Sequence, residues 1–121
     1  MEQQSEIWPS RRFEHCSLMM KNHLLIFAGK SDLNTICRDM LVYNIRDCIW
    51  QKICLLKRPS ARQDSKMVSV GNKVFLFGGR NSINNTFFND IWEFDFAHLE
   101  LNTKTNITDV KGRMLDVSGK V

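Results

Sequence analysis

The side chains able to do chemistry in this chain of 121 residues are few and scattered. His15, His23 and His98 lie far apart, and none stands at ligand spacing from another. Cys16, Cys37, Cys48 and Cys54 contain no CxxC pair and no nearby histidine pattern that would close a tetrahedral metal site. Neither a Ser-His-Asp set nor a pair of spaced carboxylates can be assembled from the order of residues. Gly78-Gly79 is not followed by GxGxxG or a Walker-type lysine, so it is not a phosphate-binding loop. These absences point away from catalysis and leave no candidate catalytic residue, metal ligand or cofactor site.

The glycines make better sense as strand stops. Val74-Phe75-Leu76-Phe77-Gly78-Gly79 is an apolar run of strand length ended by two residues free to take positive φ. Fifty positions earlier stands Leu24-Leu25-Ile26-Phe27-Ala28-Gly29, the same strand and nearly the same stop. At this offset Pro9 falls on Pro59, Ser10 on Ser60, Arg12 on Arg62 and Asn22 on Asn72. Beyond the glycines the offset becomes 51, and Asp39-Met40-Leu41-Val42-Tyr43-Asn44 falls on Asp90-Ile91-Trp92-Glu93-Phe94-Asp95. Two copies with one loop insertion describe a duplicated unit. The first copy offers strands at Cys16–Met20, Leu24–Ala28, Met40–Tyr43 and Ile49–Cys54. The second offers Lys66–Val70, Val74–Phe77, Ile91–Phe96 and a weak Leu99–Asn102. The chain therefore divides into a lead-in (1–8), a first repeat (9–54), a second repeat (55–102) and an unassigned polar tail (103–121). No segment carries a capped helical period.

Composition narrows the class further. The chain is 43% hydrophobic and 25% charged, as a folded domain is. A net charge of +4 is mild, and its densest basic run is Arg11-Arg12, so no nucleic-acid footprint is expected. No apolar run approaches the length of a membrane span. The start Met1-Glu2-Gln3-Gln4 lacks the pattern of a secretory signal, which makes reduced thiols and a cytoplasmic location the expectation. In that compartment the sequons at Asn84 and Asn106 carry no meaning.

Four short strands in a unit of about fifty residues are the signature of a propeller blade. Within that class the residues resemble the kelch repeat. The resemblance rests on the apolar strand ending in Gly78-Gly79 (Ala28-Gly29 in the first copy), on the following aromatic (Tyr43, Phe94), on Trp50 seven residues later, and on the upstream Pro9–Arg12 and Pro59–Arg62 elements. It covers about Pro9 to Leu101. In the second copy Leu101 stands where the family has its tryptophan. The fold class expected is all-β, two four-stranded kelch-type blades of an incomplete β-propeller.

By this resemblance Gly29, Gly78, Gly79, Tyr43, Trp50 and Phe94 are structural. Arg12 and Arg62, at equivalent positions, suit a shared architectural role such as pairing with a carboxylate. Some kelch-type propellers are copper oxidases, but this chain lacks their tyrosine and histidine set. The family implies a non-catalytic module that binds a protein partner through loops on one face, as an adaptor or scaffold. The loops concerned carry Lys30, Ser31 and Asp32, then Arg80, Asn81 and Ser82, with Arg11 and Arg62 beside them. A remnant of a propeller enzyme and a truncated structural fragment without activity are the alternatives. Propellers close with about four to eight blades, so further blades or self-association is expected, through outward apolar residues such as Leu25, Ile26, Phe75 and Leu76. Trp50, at the packing position, is expected to matter more to stability than Trp92. The far-UV circular dichroism of the chain should be that of a sheet protein; a helix-dominated spectrum would refute the blade assignment.

Overall fold

The structure is a computed structural model that describes residues 7–99 and 104–115. Among these residues there is no α-helix, and none forms a helix long and apolar enough to cross a membrane. The strands are β1 (Arg12–Phe13), β2 (Cys16–Met20), β3 (His23–Ser31), β4 (Ile36–Asn44), β5 (Ile49–Ile53), β6 (Lys66–Val70), β7 (Lys73–Phe77), β8 (Arg80–Asn81), β9 (Thr86–Phe87), β10 (Ile91–Asp95), β11 (Asn106–Ile107) and β12 (Lys111–Leu115). Strands β2, β3, β4 and β5 form an antiparallel meander, the first blade. Strands β6, β7, β10 and β12 form the second, also antiparallel.

Equivalent turns close equivalent hairpins. Lys21 (φ 54°) and Gly71 (φ 61°) both take left-handed backbone in two-residue loops that pair Met20 with His23 and Val70 with Lys73. At the far ends of β3 and β7 the repeat stops take left-handed backbone too: Ala28 and Gly29 at φ 61° and 101°, Gly78 and Gly79 at 68° and 105°. Ala28 thus keeps the conformation of the glycine it replaces, at a cost of about 1–2 kcal/mol for an L-residue.

Directly paired residues in a sheet share a face, so the registers assign every side chain. Leu25, Phe27, Met40, Val42 and Ile53 of the first blade and Val74, Leu76, Trp92 and Phe94 of the second join one buried cluster. Leu25 and Leu76 are fully buried there, which corrects their expected outward placement. Ile26 and Phe75 do lie on the opposite faces of their sheets. Their outward companions are Leu24, Tyr43 and Trp50 in the first blade and Val68, Phe77 and Ile91 in the second.

The two tryptophans reverse their expected ranks. Trp50 is half-buried on the outward face, its ring 5.1 Å from that of Tyr43. Trp92 is 9% exposed within the core cluster, stacked on Phe94 at 6.2 Å, and its Nε1 donates to Asp90 at 2.9 Å. The alignment put the family's packing tryptophan at position 50. The pleat decides depth instead, and Trp92 occupies an inward row.

The stretch after Thr103 has a structural role that its irregular apolar spacing did not disclose. β11 lies parallel to β5, with the Lys52 amide donating to Thr105 O at 2.7 Å and the Cys54 amide to Ile107 O at 2.8 Å. β12 then pairs with β10 as the fourth strand of the second blade. Ile107 and Val110 sink into the core cluster. The weak strand expected at Leu99–Asn102 is not seen at Leu99, which lies in a turn with its amide bonded to Phe96 O at 3.1 Å. Residues 100–102, and with them Leu101, lie outside the described residues.

Trp92→Ala should therefore destabilise by about 3–5 kcal/mol, and Trp50→Ala by clearly less. Denaturant midpoints of the two variants at matched slope decide the order.

Candidate functional site

One arginine in each repeat organises the loop end of its blade. Arg12 Nη1 and Nη2 donate to Asp39 Oδ1 and Oδ2 at 2.6 and 3.0 Å, and Nη1 also to Ala28 O at 3.2 Å. Arg62 repeats this on Asp90 at 2.6 and 2.9 Å and on Gly78 O at 3.1 Å. The Nε groups donate to Ser10 O and Ser60 O. Phe88 adds a ring face 4.1 Å from the Arg62 guanidinium carbon. Bidentate geometry of this kind is the strongest form of ion pair. Arg62 is fully buried, which corrects its expected role as a loop contact; it holds the loop rather than meeting a partner.

Burial acts to lower the Arg12 pKa, but the hydrogen bond and charge of Asp39 outweigh it and the pKa is raised. Burial likewise acts to raise the Asp90 pKa, and the hydrogen bonds from Arg62 and Trp92 with the Arg62 charge outweigh it, so it is lowered.

The second glycine of each stop is a place of close approach. A Cβ on Gly29 would stand 2.9 Å from Phe13 O and from His15 Cβ; one on Gly79 would stand 2.9 Å from Gln63 O and 3.1 Å from Ser65 Cβ. The chain leading into each blade crosses the stop at this point. It also carries the two loops outward side by side.

Those loops hold the residues selected from the sequence. Asp32 is exposed, and its amide donates to Arg11 O at 3.2 Å, so Arg11 and Asp32 are neighbours. Ser31 is buried and works internally, its Oγ accepting from the amides of Leu33 and Thr35. Lys30 Nζ reaches the second blade and donates to Ser82 Oγ at 3.3 Å. Ser82 Oγ donates to Gln63 Oε1 at 2.5 Å, and Gln63 Nε2 donates to Glu14 at 2.6 Å. Arg80 bridges Glu14 at 3.2 Å and Asp64 at 3.0 Å. Asn81 Oδ1 accepts from the amides of Ile83 and Asn84. Every candidate thus sits at one end of the blade pair, with Arg62 buried beneath the loops.

Sequence reading passed over Glu14, Gln63 and Asp64, which tie the chain entering the first blade to the second loop. One signal was available: Glu14 and Asp64 are repeat equivalents, and acidic residues at matched positions beside a basic loop foretell a bridge. Between the loops lies a cleft of about 310 Å³ lined by Asn34, Thr35, Ile36, Ala61, Asn81, Ile83 and Asn84. A larger one, about 610 Å³ and mostly apolar, lies at the outer edge among Cys54–Lys57 and Thr108–Gly112. Among the described residues no group of histidine, cysteine and carboxylate side chains could hold a metal ion.

Two meander blades with the same internal clamp in each define a repeat protein of the propeller class. A family model described as the KLHDC2/KLHL20/DRC7 Kelch-repeats domain matches residues 1–114, and the chain belongs to the kelch-repeat family. It is similar to the Tip elongation aberrant protein 1 of Schizosaccharomyces pombe, 32% identical over 95 residues, which are 75% of this chain and 8% of that protein. It is also similar to the Kelch domain-containing protein 3 of Bos taurus, 22% identical over 93 residues (76% of this chain, 24% of the relative). The rat counterpart is 27% identical over 94 residues, covering 67% and 24%. The chain thus spans a quarter or less of the curated relatives it matches.

Asp90→Asn should cost about 3 kcal/mol, because it leaves the buried Arg62 charge without its counter-ion. Asp39, more exposed, should cost less when changed to Asn. Because the folded pKa of Asp90 is lowered, its contribution is complete above the ordinary carboxylate range and fades as pH falls through the folded value. Melting temperatures of the parent and Asp90→Asn should converge on acidification; a constant gap would contradict the ion-pair account.

Proposed function

We propose that this chain is a non-catalytic protein-interaction module that binds a protein partner through the loop end of its blades, in an adaptor or scaffold role. The observation that carries the reading is the convergence of the loops 31–35 and 81–86, joined by the Lys30–Ser82 contact at 3.3 Å. Both loops also lift large apolar side chains into solvent: Leu33 is 83% exposed, Ile83 57% and the adjoining Phe87 76%. Apolar groups on the tips of a rigid scaffold are what interfaces use as anchors. The other end of the blades carries the two-residue turns at 21–22 and 71–72 and the four-residue turn at 45–48. The four free cysteines fit a reducing, cytoplasmic setting.

The test is selection of displayed random peptides on the immobilised chain, followed by loop replacement. Changing residues 32–34 and 83–85 to Gly-Ser sequence should abolish capture of the selected peptides, while changing the turns at 21–22 and 71–72 should not. Capture that survives the loop changes overturns the reading.

A further inference from the structure

The two repeats differ in one respect that their shared clamp does not explain. Ser10 and Ser60 are equivalent, each following a proline and each accepting from the Nε of its arginine through the carbonyl, at 3.2 and 3.1 Å. In the first repeat Ser10 Oγ also accepts from Arg12 Nη2 at 3.1 Å. In the second, Ser60 is exposed and its hydroxyl has no partner among the described residues. Arg62 donates through Nε, through both N–H groups of Nη1 and through one of Nη2. The other N–H of Nη2 is therefore without an acceptor among the described residues.

The residues upstream differ as well. Ile7 and Trp8 precede Pro9, whereas Lys57 and Arg58 precede Pro59. Both bases are exposed, and neither joins an ion pair among the described residues. Residues 55–61 lie outside the strands and make no backbone–backbone hydrogen bond among the described residues. A proline keeps the residue before it in extended backbone. Burial alternates accordingly, with Arg58 exposed, Pro59 buried and Ser60 exposed. The linker between the blades thus presents Lys57-Arg58-Pro59-Ser60 as an extended and accessible segment.

We propose that Ser60 is a phosphorylation site for an ATP-dependent kinase that reads basic residues just before the serine, and that its phosphate fastens the linker to Arg62. Carboxylates in the kinase groove pair with Lys57 and Arg58 and place the hydroxyl in line with the γ-phosphorus of ATP. Ser60 Oγ forms the new O–P bond, the bond from the γ-phosphorus to the ADP oxygen breaks, and the hydroxyl proton passes to the kinase's base. A short basic run is ordinarily a solvated surface. Here it is joined to an unpartnered hydroxyl, and Ser10 has neither. Ser60 itself lies over the Arg62 guanidinium, with its carbonyl on Nε. Turning its side chain to the orientation of Ser10 brings the oxygen to the open N–H of Nη2. Phosphoserine brings about two negative charges and three acceptor oxygens to that donor, with Lys57 and Arg58 beside it in the chain.

The experiment incubates the folded chain with ATP and the catalytic subunit of cAMP-dependent protein kinase, a probe that reads paired upstream bases. Peptide mass spectrometry then locates the phosphate, which should be on Ser60 and not on Ser10. Ser60→Ala removes no hydrogen bond made by the hydroxyl, so it should fold as the parent does and lose the label. Lys57→Ala with Arg58→Ala should slow the initial rate about tenfold, and thermal melts identify any variant that fails to fold. The phosphorylated chain should melt about 4–8 °C above the unmodified one. Absence of phosphate from Ser60 overturns the proposal, as does labelling that ignores the two bases or needs the chain unfolded in urea. A labelled chain whose melting temperature is unchanged or lowered overturns the seating on Arg62.

Discussion

The arrangement of the two blades depends on Arg62. Its side chain belongs to the second blade, spanning Gly78 O and Asp90, while its backbone belongs to the first. The Arg62 amide donates to Cys37 O at 3.1 Å and its carbonyl accepts from the Gly29 amide at 2.9 Å. One residue therefore fastens the glycine stop of one blade to the strand that follows the stop of the next. A fully buried guanidinium is costly to desolvate, and it is tolerable here because its donors meet a carboxylate, two carbonyls and a ring face. Shifting the blades relative to each other would break the backbone bonds of Arg62 to Cys37 and Gly29, so the clamp fixes the angle at which the loops emerge.

The same geometry explains the sequence around it. The carbonyl at Ala28 or Gly78 reaches the arginine only because that residue takes left-handed backbone, and the glycine after it must let the incoming chain pass at contact distance. Arginine, stop and carboxylate therefore form one mechanical part, and the repeat carries all three twice. Core packing closes over this part from the other side, with Trp92 bonded to the same Asp90 that holds Arg62. Polar clamp and apolar core are joined through a single carboxylate.

How much of this was legible in the sequence follows from the range of each interaction. The strands β2, β6 and β7 were plain, because a local apolar run bounded by turn residues contains its own boundaries. The carboxylate partners of Arg12 and Arg62 were inferable from duplication, since a charge kept at both copies serves the shared scaffold. The depth of Trp92 was not legible: shifting the pairing by one residue turns a side chain from core to surface, and register is set by the partner strand. Nor was β12 legible. It reaches β10 only after a detour through β11 on the first blade, and no local pattern encodes a pairing made at that distance. At the site, the loops were found from position alone, whereas Glu14 and Gln63 were missed because their significance lies in the contact between blades.

The division between clamp and loop bears on where such a protein can specialise. Residues that keep the repeat, Arg12 with Arg62 and Asp39 with Asp90, make the same bonds in both blades and cannot vary singly without loosening one of them. Phe13 and Gln63 are repeat equivalents that differ: Phe13 is half-exposed, whereas Gln63 is buried and holds both Glu14 and Ser82. The loop residues beyond them differ as well, and they are anchored through their oxygens and backbone amides rather than their exposed groups. The scaffold thus confines its freedom to the tips it holds most firmly. A binding surface built on these tips loses little flexibility when it engages a partner, because Ser31, Asn81 and Gln63 have already ordered the loops that present it.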